Sequence, residues 1–180
     1  MDAATPPIYP ILKPHDWPHR SLVAHRPLAA QVEGAPLIAF GFDAGANYQF
    51  VPAEECEDVE RLYAESLARL ALLENPWEVG KSGGLPFAAG SGREFSAEKL
   101  LDREAMRACH KLFDSEHLLA AAPRRTCLFA SPADLNPHLL QMFDALTLHT
   151  YRDDSYGHAP ISPAVYLVED GEIIALRFPG

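Results

Sequence analysis

The chain has few cysteines, and it lacks any hydrophobic run long enough to cross a lipid bilayer. Its three cysteines, Cys56, Cys109 and Cys127, are an odd count without close spacing, so neither a disulfide framework nor a structural zinc site is predicted. We expect reduced thiols that are buried as small hydrophobic side chains. Because no apolar segment is long enough, insertion into a membrane is not predicted.

Basic residues are also scarce. Fifteen lysines and arginines stand against 25 aspartates and glutamates, and the formal net charge is −10. Such a surface repels phosphate backbones, so no nucleic-acid partner is predicted, whereas a basic protein partner would suit it. The N-terminus has Asp2 where a signal peptide carries positive charge, and several prolines interrupt it. This pattern predicts a cytoplasmic protein.

Motifs for catalysis are incomplete. Gly80-Lys81-Ser82 comes nearest to a phosphate-binding loop, but that motif needs a glycine where this chain has Asn75, and the following Gly83–Pro86 forbids a helix. Cys109 and His110 are neighbours, so on a helix their side chains point about 100° apart and form no thiolate-imidazole pair. We predict no catalytic residue and no cofactor.

The C-terminus carries the clearest structural signal. Two apolar runs, 164–169 and 172–178, flank Asp170-Gly171, a dipeptide that favours a type I′ hairpin because it tolerates positive φ at both positions. Strict alternation predicts one face with Val165, Leu167, Ile174 and Leu176, and an opposite face with Tyr166, Val168, Ile173 and Ala175. Both faces are apolar, so we expect the hairpin to be covered on both sides by helices, a second sheet or a partner subunit.

The remaining pattern predicts an α+β fold with a largely antiparallel sheet packed against several helices. A second hairpin is predicted at Leu37–Asp43 and 48–51, with Gly41 as a candidate bulge. Residues 74–93 are predicted to form a Gly/Ser-rich loop, and 126–130 a strand. Helices are predicted at 53–73, 97–101, 103–113, 116–121 and 137–148.

Seven of the sixteen prolines lie in the first 36 residues, which predicts an N-terminal arm, 1–35, followed by a single α+β domain, 36–180. The arm contains His15, His19 and His25, which could coordinate zinc or nickel, although flexible segments rarely preorganise ligands. We expect Trp17 to anchor the arm.

A metal site is one candidate for chemistry. If the helix around residue 110 continued without a break, His110, Asp114 and His117 would form one stripe of imidazole, carboxylate and imidazole, which suits a divalent metal with open positions for water. Alternatively, Asp114 caps a new helix, and the stripe is broken into solvated surface.

An anion site is the second candidate. Arg124 and Arg125 precede the strand at 126–130, and Arg103 and Arg107 lie on the helix before it. If the four side chains converged, they would grip a carboxylate or a phosphate. The alternative is that they pair with acids within the chain, such as Asp102, Glu104 or Asp134.

Several landmarks follow one another along the chain: the strand pair 37–43 and 48–51, the helix around residues 64–70, the segment 95–102, Pro123 before 127–130, and 159–162 before the last hairpin. In this order they resemble the YtpQ-like family of bacterial proteins of unknown function. The resemblance implies a shared fold. It implies no chemistry, because the family has none established, and no residue gains a role from it.

These patterns predict a non-enzymatic cytoplasmic binding or adaptor domain, with a protein partner or a second copy of the chain as its ligand. The alternatives are a metal-dependent hydrolase or anion-ligand-binding enzyme built on the candidate residues above, and an immunity-type protein that neutralises a basic toxin.

Overall fold

A computed structural model describes residues 6–44 and 47–180. The fold is α+β, with two antiparallel sheets and three α-helices in the described residues. The chain divides into two compact units, Met1–Leu73 and Glu74–Gly180. In the described residues, no helix combines the length and the apolar character that spanning a bilayer requires.

The first unit contains a four-stranded sheet. Its strands are β1 (Tyr9–Lys13), β2 (His25–Pro27), β3 (Leu37–Asp43) and β4 (Tyr48–Phe50). Strand β1 pairs along one edge of β3, while β2 and β4 pair with successive parts of the other edge. The hairpin predicted from the sequence is therefore β3–β4, and Gly45 and Ala46 in its connection lie outside the described residues. The proline-rich segment supplies β1 and β2 to this sheet, so the predicted boundary at residue 36 falls within the first unit.

Gly41 is in regular register with Tyr9 on one side and with Phe50 on the other. The prediction of a bulge at this position is therefore wrong. A Cβ atom here would collide with the backbone carbonyl oxygen of Gln49, so the glycine is needed for close approach of two strands.

Helix α1 spans Val59–Ala71, which is shorter than the predicted range of 53–73. Asp58 sets its start, because the Asp58 carboxylate accepts hydrogen bonds from the amides of Glu60 and Arg61, each at 3.0 Å. The residues before it form a separate 3₁₀ turn, Ala53–Glu55. The helix contacts β1 and β3.

The second unit contains a six-stranded antiparallel sheet. Its strands are β5 (Glu78–Ser82), β6 (Leu85–Ala89), β7 (His117–Ala121), β8 (Phe129–Pro132), β9 (Val165–Glu169) and β10 (Glu172–Arg177). They lie in the order β10-β9-β7-β8-β6-β5. A 3₁₀ segment at Ala97–Leu101 and helix α2 (Arg103–Phe113) match the predicted ranges. Helix α3 (Pro137–Arg152) begins where predicted and extends four residues further.

Helix α3 covers one face of the second sheet. Phe143 is fully buried in a cluster with Leu119, Phe129 and Val165, and the rings of Phe129 and Phe143 meet edge to face at 5.3 Å. The opposite faces of the central strands are also buried, as Leu118, Ala120, Tyr166 and Val168 show. Strands β7 and β9 therefore belong to the core on both sides.

For two segments of this unit, the predicted type of secondary structure is wrong. Most of the helix predicted at 116–121 is instead the central strand β7, His117–Ala121. A short apolar run carries no period that separates strand from helix, so the pairing with β8 and β9 decides between them. Residues 74–93 contain the hairpin β5–β6, whose turn residues Gly83 and Gly84 both have positive φ. The predicted strand at 126–130 begins later, at Phe129.

The C-terminal hairpin is confirmed, and Asp170 and Gly171 have φ of 48° and 78°. The predicted distribution of side chains is wrong after Ile173, because a β-bulge at Ile174 shifts the register. Consequently Leu176 lies opposite Tyr166, and Ala175 lies opposite Leu167. Strand β9 is covered on both faces, as predicted, whereas β10 is an edge strand with exposed residues.

Candidate functional site

An open groove lies beside helix α2 in the second unit. It has a volume of about 690 Å³, which is within the range of ligand-binding sites. We call it the α2 groove. It is lined by Glu104, Arg107, His110, Lys111, Ser115, Glu116, Glu169 and Asp170.

Local sequence chemistry places the helical side of this groove. The Asp102 carboxylate caps α2 by accepting hydrogen bonds from the amides of Glu104 and Ala105, at 3.1 and 3.2 Å. Glu104, Arg107 and Lys111 then recur at helical spacing and share one stripe. The helix ends at Asp114, which adopts a left-handed conformation with φ of 50°, and the chain turns into β7.

Arg107 and Arg103 connect α2 to the β9–β10 turn. Arg107 donates two hydrogen bonds to Asp170, at 2.8 and 2.7 Å, and one to Glu104 at 2.7 Å. Arg103 also donates to Asp170 and pairs with Glu172 at 2.7 Å. Hydrogen bonds from Arg107, and then from Arg103, hold the pKa of Asp170 well below its usual range, and the same contacts raise the pKa of Arg107.

The other two carboxylates of the lining, Glu116 and Glu169, make the groove acidic. In the part of the chain that the structure describes, neither Glu116 nor Glu169 pairs with a lysine or an arginine, and Glu169 has only the His117 ring at 3.4 Å. The lining as a whole contains four carboxylates against Arg107 and Lys111. Such a surface favours ammonium or guanidinium groups over anions.

The three predicted metal ligands are separated. His110 places Nδ1 at 2.8 Å from the carbonyl oxygen of Ser115, an acceptor, so this nitrogen carries the proton. Asp114 terminates α2, and His117 begins β7 beside Glu169. The helix therefore does not continue through the stripe, and within residues 6–44 and 47–180 no group of three His, Cys, Asp or Glu side chains could hold a metal ion.

The four predicted anion-binding arginines do not converge. Arg103 and Arg107 meet at Asp170, whereas Arg124 is buried elsewhere in the unit and Arg125 pairs with Glu94 at 3.0 Å. All four pair with acids of the chain, which is the alternative that the sequence left open.

The Arg124 side chain binds mainly backbone carbonyl groups. Its guanidinium donates hydrogen bonds to the carbonyl oxygens of Thr150, Tyr151 and His158, at 2.8, 3.0 and 2.8 Å, and it also binds Asp154 at 3.0 Å. The side chain is only 4% exposed. It ties the C-terminal end of α3 to the segment after it, so its role is structural.

No family model, curated protein or solved structure matches this chain. The resemblance to the YtpQ-like family therefore stays a prediction. What the α2 groove does has to be argued from its own residues.

Other sequence motifs lie outside the groove. Residues 80–84 also fit the letters Gly-x-Ser-x-Gly of a nucleophile elbow, but an elbow joins a strand to a helix, and here Ser82 ends β5 at a hairpin. Burial raises the pKa of Cys109 to about 12 and also raises that of Cys127, so both thiols are poor nucleophiles. Cys56 is half-buried.

In the proline-rich segment, Trp17 packs against Phe50 with ring centroids 4.9 Å apart, and Lys13 lies over both rings at 5.1 Å. The anchoring contact predicted for Trp17 is thus made with β4. His25 places Nδ1 at 3.0 Å from the carbonyl oxygen of Val23.

Sequence reasoning identified Arg107 and His110 but missed Lys111, Glu116 and Glu169 in the groove. The helical spacing from Glu104 to Lys111 could have indicated a shared stripe. Glu116 and Glu169 carried no local signal, because their proximity depends on the pairing of β7 with β9.

Proposed function

We propose that the chain is a non-enzymatic cytoplasmic binding domain whose α2 groove docks a basic segment of a partner protein. The observation that carries the proposal is the charge of the lining, where Glu116 and Glu169 lack an intrachain lysine or arginine among the described residues. The net charge of −10 acts in the same direction, because a negative surface attracts a basic partner from a distance.

The hydrogen bonds along one wall of the groove support this role. Arg107 is held between Glu104 and Asp170, so one wall is organised before a ligand arrives, which lowers the entropic cost of binding. The arginines on that wall are already neutralised. The residual attraction comes from Glu116 and Glu169, which are exposed to solvent. An immunity-type role is the special case in which the basic partner is a toxin.

Fluorescence anisotropy with a labelled Lys/Arg-rich decapeptide tests this proposal. We expect the full chain to bind this peptide, to ignore an acidic peptide of equal length, and to bind more weakly as salt is added. The double variant Glu116→Gln/Glu169→Gln should weaken binding roughly fivefold or more, at about 0.5–1 kcal/mol for each exposed charge.

The matched control is Glu54→Gln/Glu57→Gln, which removes the same charge from exposed positions in the other unit. This variant should bind the basic peptide almost as well as the wild-type chain. Equal weakening by the two double variants would assign the binding to net charge, and the groove would lose its role.

A further inference from the structure

Among residues 6–44 and 47–180, no strand pairs with the outer edge of β10 in the second sheet. Strand β10 pairs with β9 on one side and is terminal in the strand order. Its residues are partly or fully exposed, and the side chain of Ile174 is 50% exposed. An open edge presents unpaired N–H and C=O groups to any strand that can align with it.

The bulge determines which backbone groups point outward. Glu169 and Glu172 close a two-residue turn and therefore form a hydrogen-bonded pair, after which hydrogen-bonded and non-hydrogen-bonded pairs alternate. Ile173 opposite Val168 is then a non-hydrogen-bonded pair. Because Ile174 is the extra residue of the bulge, the alternation continues so that Leu176 is the next non-hydrogen-bonded residue. Ile173 and Leu176 consequently direct their N–H and C=O groups away from β9.

Ile173 and Leu176 can lie opposite each other when β10 of one copy pairs antiparallel with β10 of a second copy. Ile173 and Leu176 share a face of the sheet, because their partners Val168 and Tyr166 are two residues apart on β9. A two-fold axis between residues 174 and 175 places Ile173 of one copy opposite Leu176 of the other. Without the bulge, the backbone N–H and C=O groups of Ile173 and Leu176 would point to opposite edges of the strand, and their side chains would lie on opposite faces. This register would then be impossible.

The charges at the ends of the strand are complementary in the same register. Glu172 of one copy lies opposite Arg177 of the other, and both side chains are on one face, because their partners Glu169 and Val165 are four residues apart. Each is already oriented within its own chain. Arg177 is held by Asp144 at 2.7 and 2.9 Å, and this uses two of the five N–H donors that a guanidinium carries.

We propose that the chain forms a two-fold symmetric dimer in which β10 of one copy pairs antiparallel with β10 of a second copy, extending the six-stranded sheet across the axis. The interface is isologous, as expected for a self-complementary strand. It is distinct from the α2 groove, so it does not depend on the function proposed above.

The opposite edge of the sheet lacks this complementarity. By the same alternation, Val79 and Lys81 of β5 direct their backbone groups outward, since Ser82 and Leu85 close the Gly83-Gly84 turn. The two-fold register that pairs all five residues of β5 has its axis at Gly80 and would place Lys81 opposite Val79, an apolar side chain. The lysine protects this edge against association.

Size-exclusion chromatography with light scattering tests the dimer over a range of concentrations of the full chain. We expect a mass of twice 19.8 kDa at the upper end of the range. Ile174→Lys should give the monomer mass, because it brings two ammonium groups together at the axis. The control Val79→Lys, at a position that is 58% exposed on the other edge, should remain dimeric.

A wild-type chain that is monomeric at every concentration overturns the proposal, as does an Ile174→Lys variant that is as dimeric as Val79→Lys. Binding of the basic peptide by the wild-type chain is measured in parallel. If the wild-type chain is monomeric at every concentration and still binds the peptide, only the dimer is disproved.

Cysteine cross-linking tests the register in a Cys56→Ser background. Opposite residues in a hydrogen-bonded pair have Cα atoms about 5.5 Å apart, which a disulfide can bridge. The double variant Ile173→Cys/Leu176→Cys should form a covalent dimer under mild oxidation. Neither single variant should form a covalent dimer. A cysteine at position 173 would lie opposite Leu176 of the second copy, and a cysteine at position 176 would lie opposite Ile173. Cross-linking of a single variant as efficient as that of the double variant overturns this register.

Discussion

Arg107 binds Asp170 through two parallel hydrogen bonds, from Nε to Oδ1 at 2.8 Å and from Nη2 to Oδ2 at 2.7 Å. This bidentate pair attaches α2 to the β9–β10 turn, 63 residues later in the chain. It therefore connects one wall of the α2 groove to the strand that we propose for dimerisation, and it makes the turn a natural target for mutation.

Asp170→Asn should destabilise the second unit in a pH-dependent way. Asn tolerates the left-handed backbone at this position, so the change isolates the charge. Because the pKa of Asp170 is depressed in the folded chain, its stabilising effect is complete above the unfolded-state pKa of about 3.9 and is lost as the pH falls towards the folded-state value. Urea midpoints of variant and wild type should differ at neutral pH and approach each other in acid. A constant difference would contradict this interpretation.

Arg124→Met and Arg125→Met should have very different effects, although the residues are adjacent. Loss of Arg124 leaves three backbone carbonyls without their donor, and we expect a cost of about 3 kcal/mol. Arg125 forms an exposed pair with Glu94, so its loss should cost at most about 1 kcal/mol. Denaturant unfolding measures both variants. Equal losses would mean that burial does not distinguish the two arginines.

Gly171→Ala should be more harmful than Gly92→Ala. Both glycines have positive φ, so each alanine variant is expected to lose about 1 kcal/mol from backbone strain. A Cβ at Gly171 would also collide with the carbonyl oxygen of Arg103. At Gly92, by contrast, a Cβ would have no heavy atom of the described residues within 4 Å, its chain neighbours aside. We expect a total loss of roughly 2 kcal/mol or more for Gly171→Ala. Thermal unfolding of the pair provides the comparison, and a Gly92→Ala variant of equal or lower stability would refute it.

The three thiols should differ in reactivity. Cys109 and Cys127 are buried, and burial raises the pKa of each, whereas Cys56 is partly exposed. With a colorimetric disulfide reagent at mildly alkaline pH, we expect one thiol to react quickly in the folded chain and three in denaturant. Cys56→Ser should abolish the fast phase. A fast phase that survives this substitution would place a reactive thiol at one of the buried positions.

Short-range patterns were sufficient for much of the fold. Asp170-Gly171 between two apolar runs predicted β9–β10, and apolar residues at helical spacing predicted α2 and α3. These features depend on residues close together in the chain, where backbone preferences and periodicity act directly. The capping residues Asp58 and Asp102 show the same local chemistry, although the sequence analysis placed the start of α1 too early.

The candidate site depended on contacts that no local pattern contains. His117–Ala121 became the strand β7 because β8 and β9 pair with it on either side, and that pairing brings the preceding Glu116 near Glu169. The partner of Arg107 lies 63 residues away. Residue types and turn chemistry alone thus defined the α+β class and the terminal hairpin. The pairing of distant strands, the bulge at Ile174 and the choice of acid for each arginine followed from packing, because each is settled by the free energy of burying and satisfying groups that the chain brings together only when it is folded.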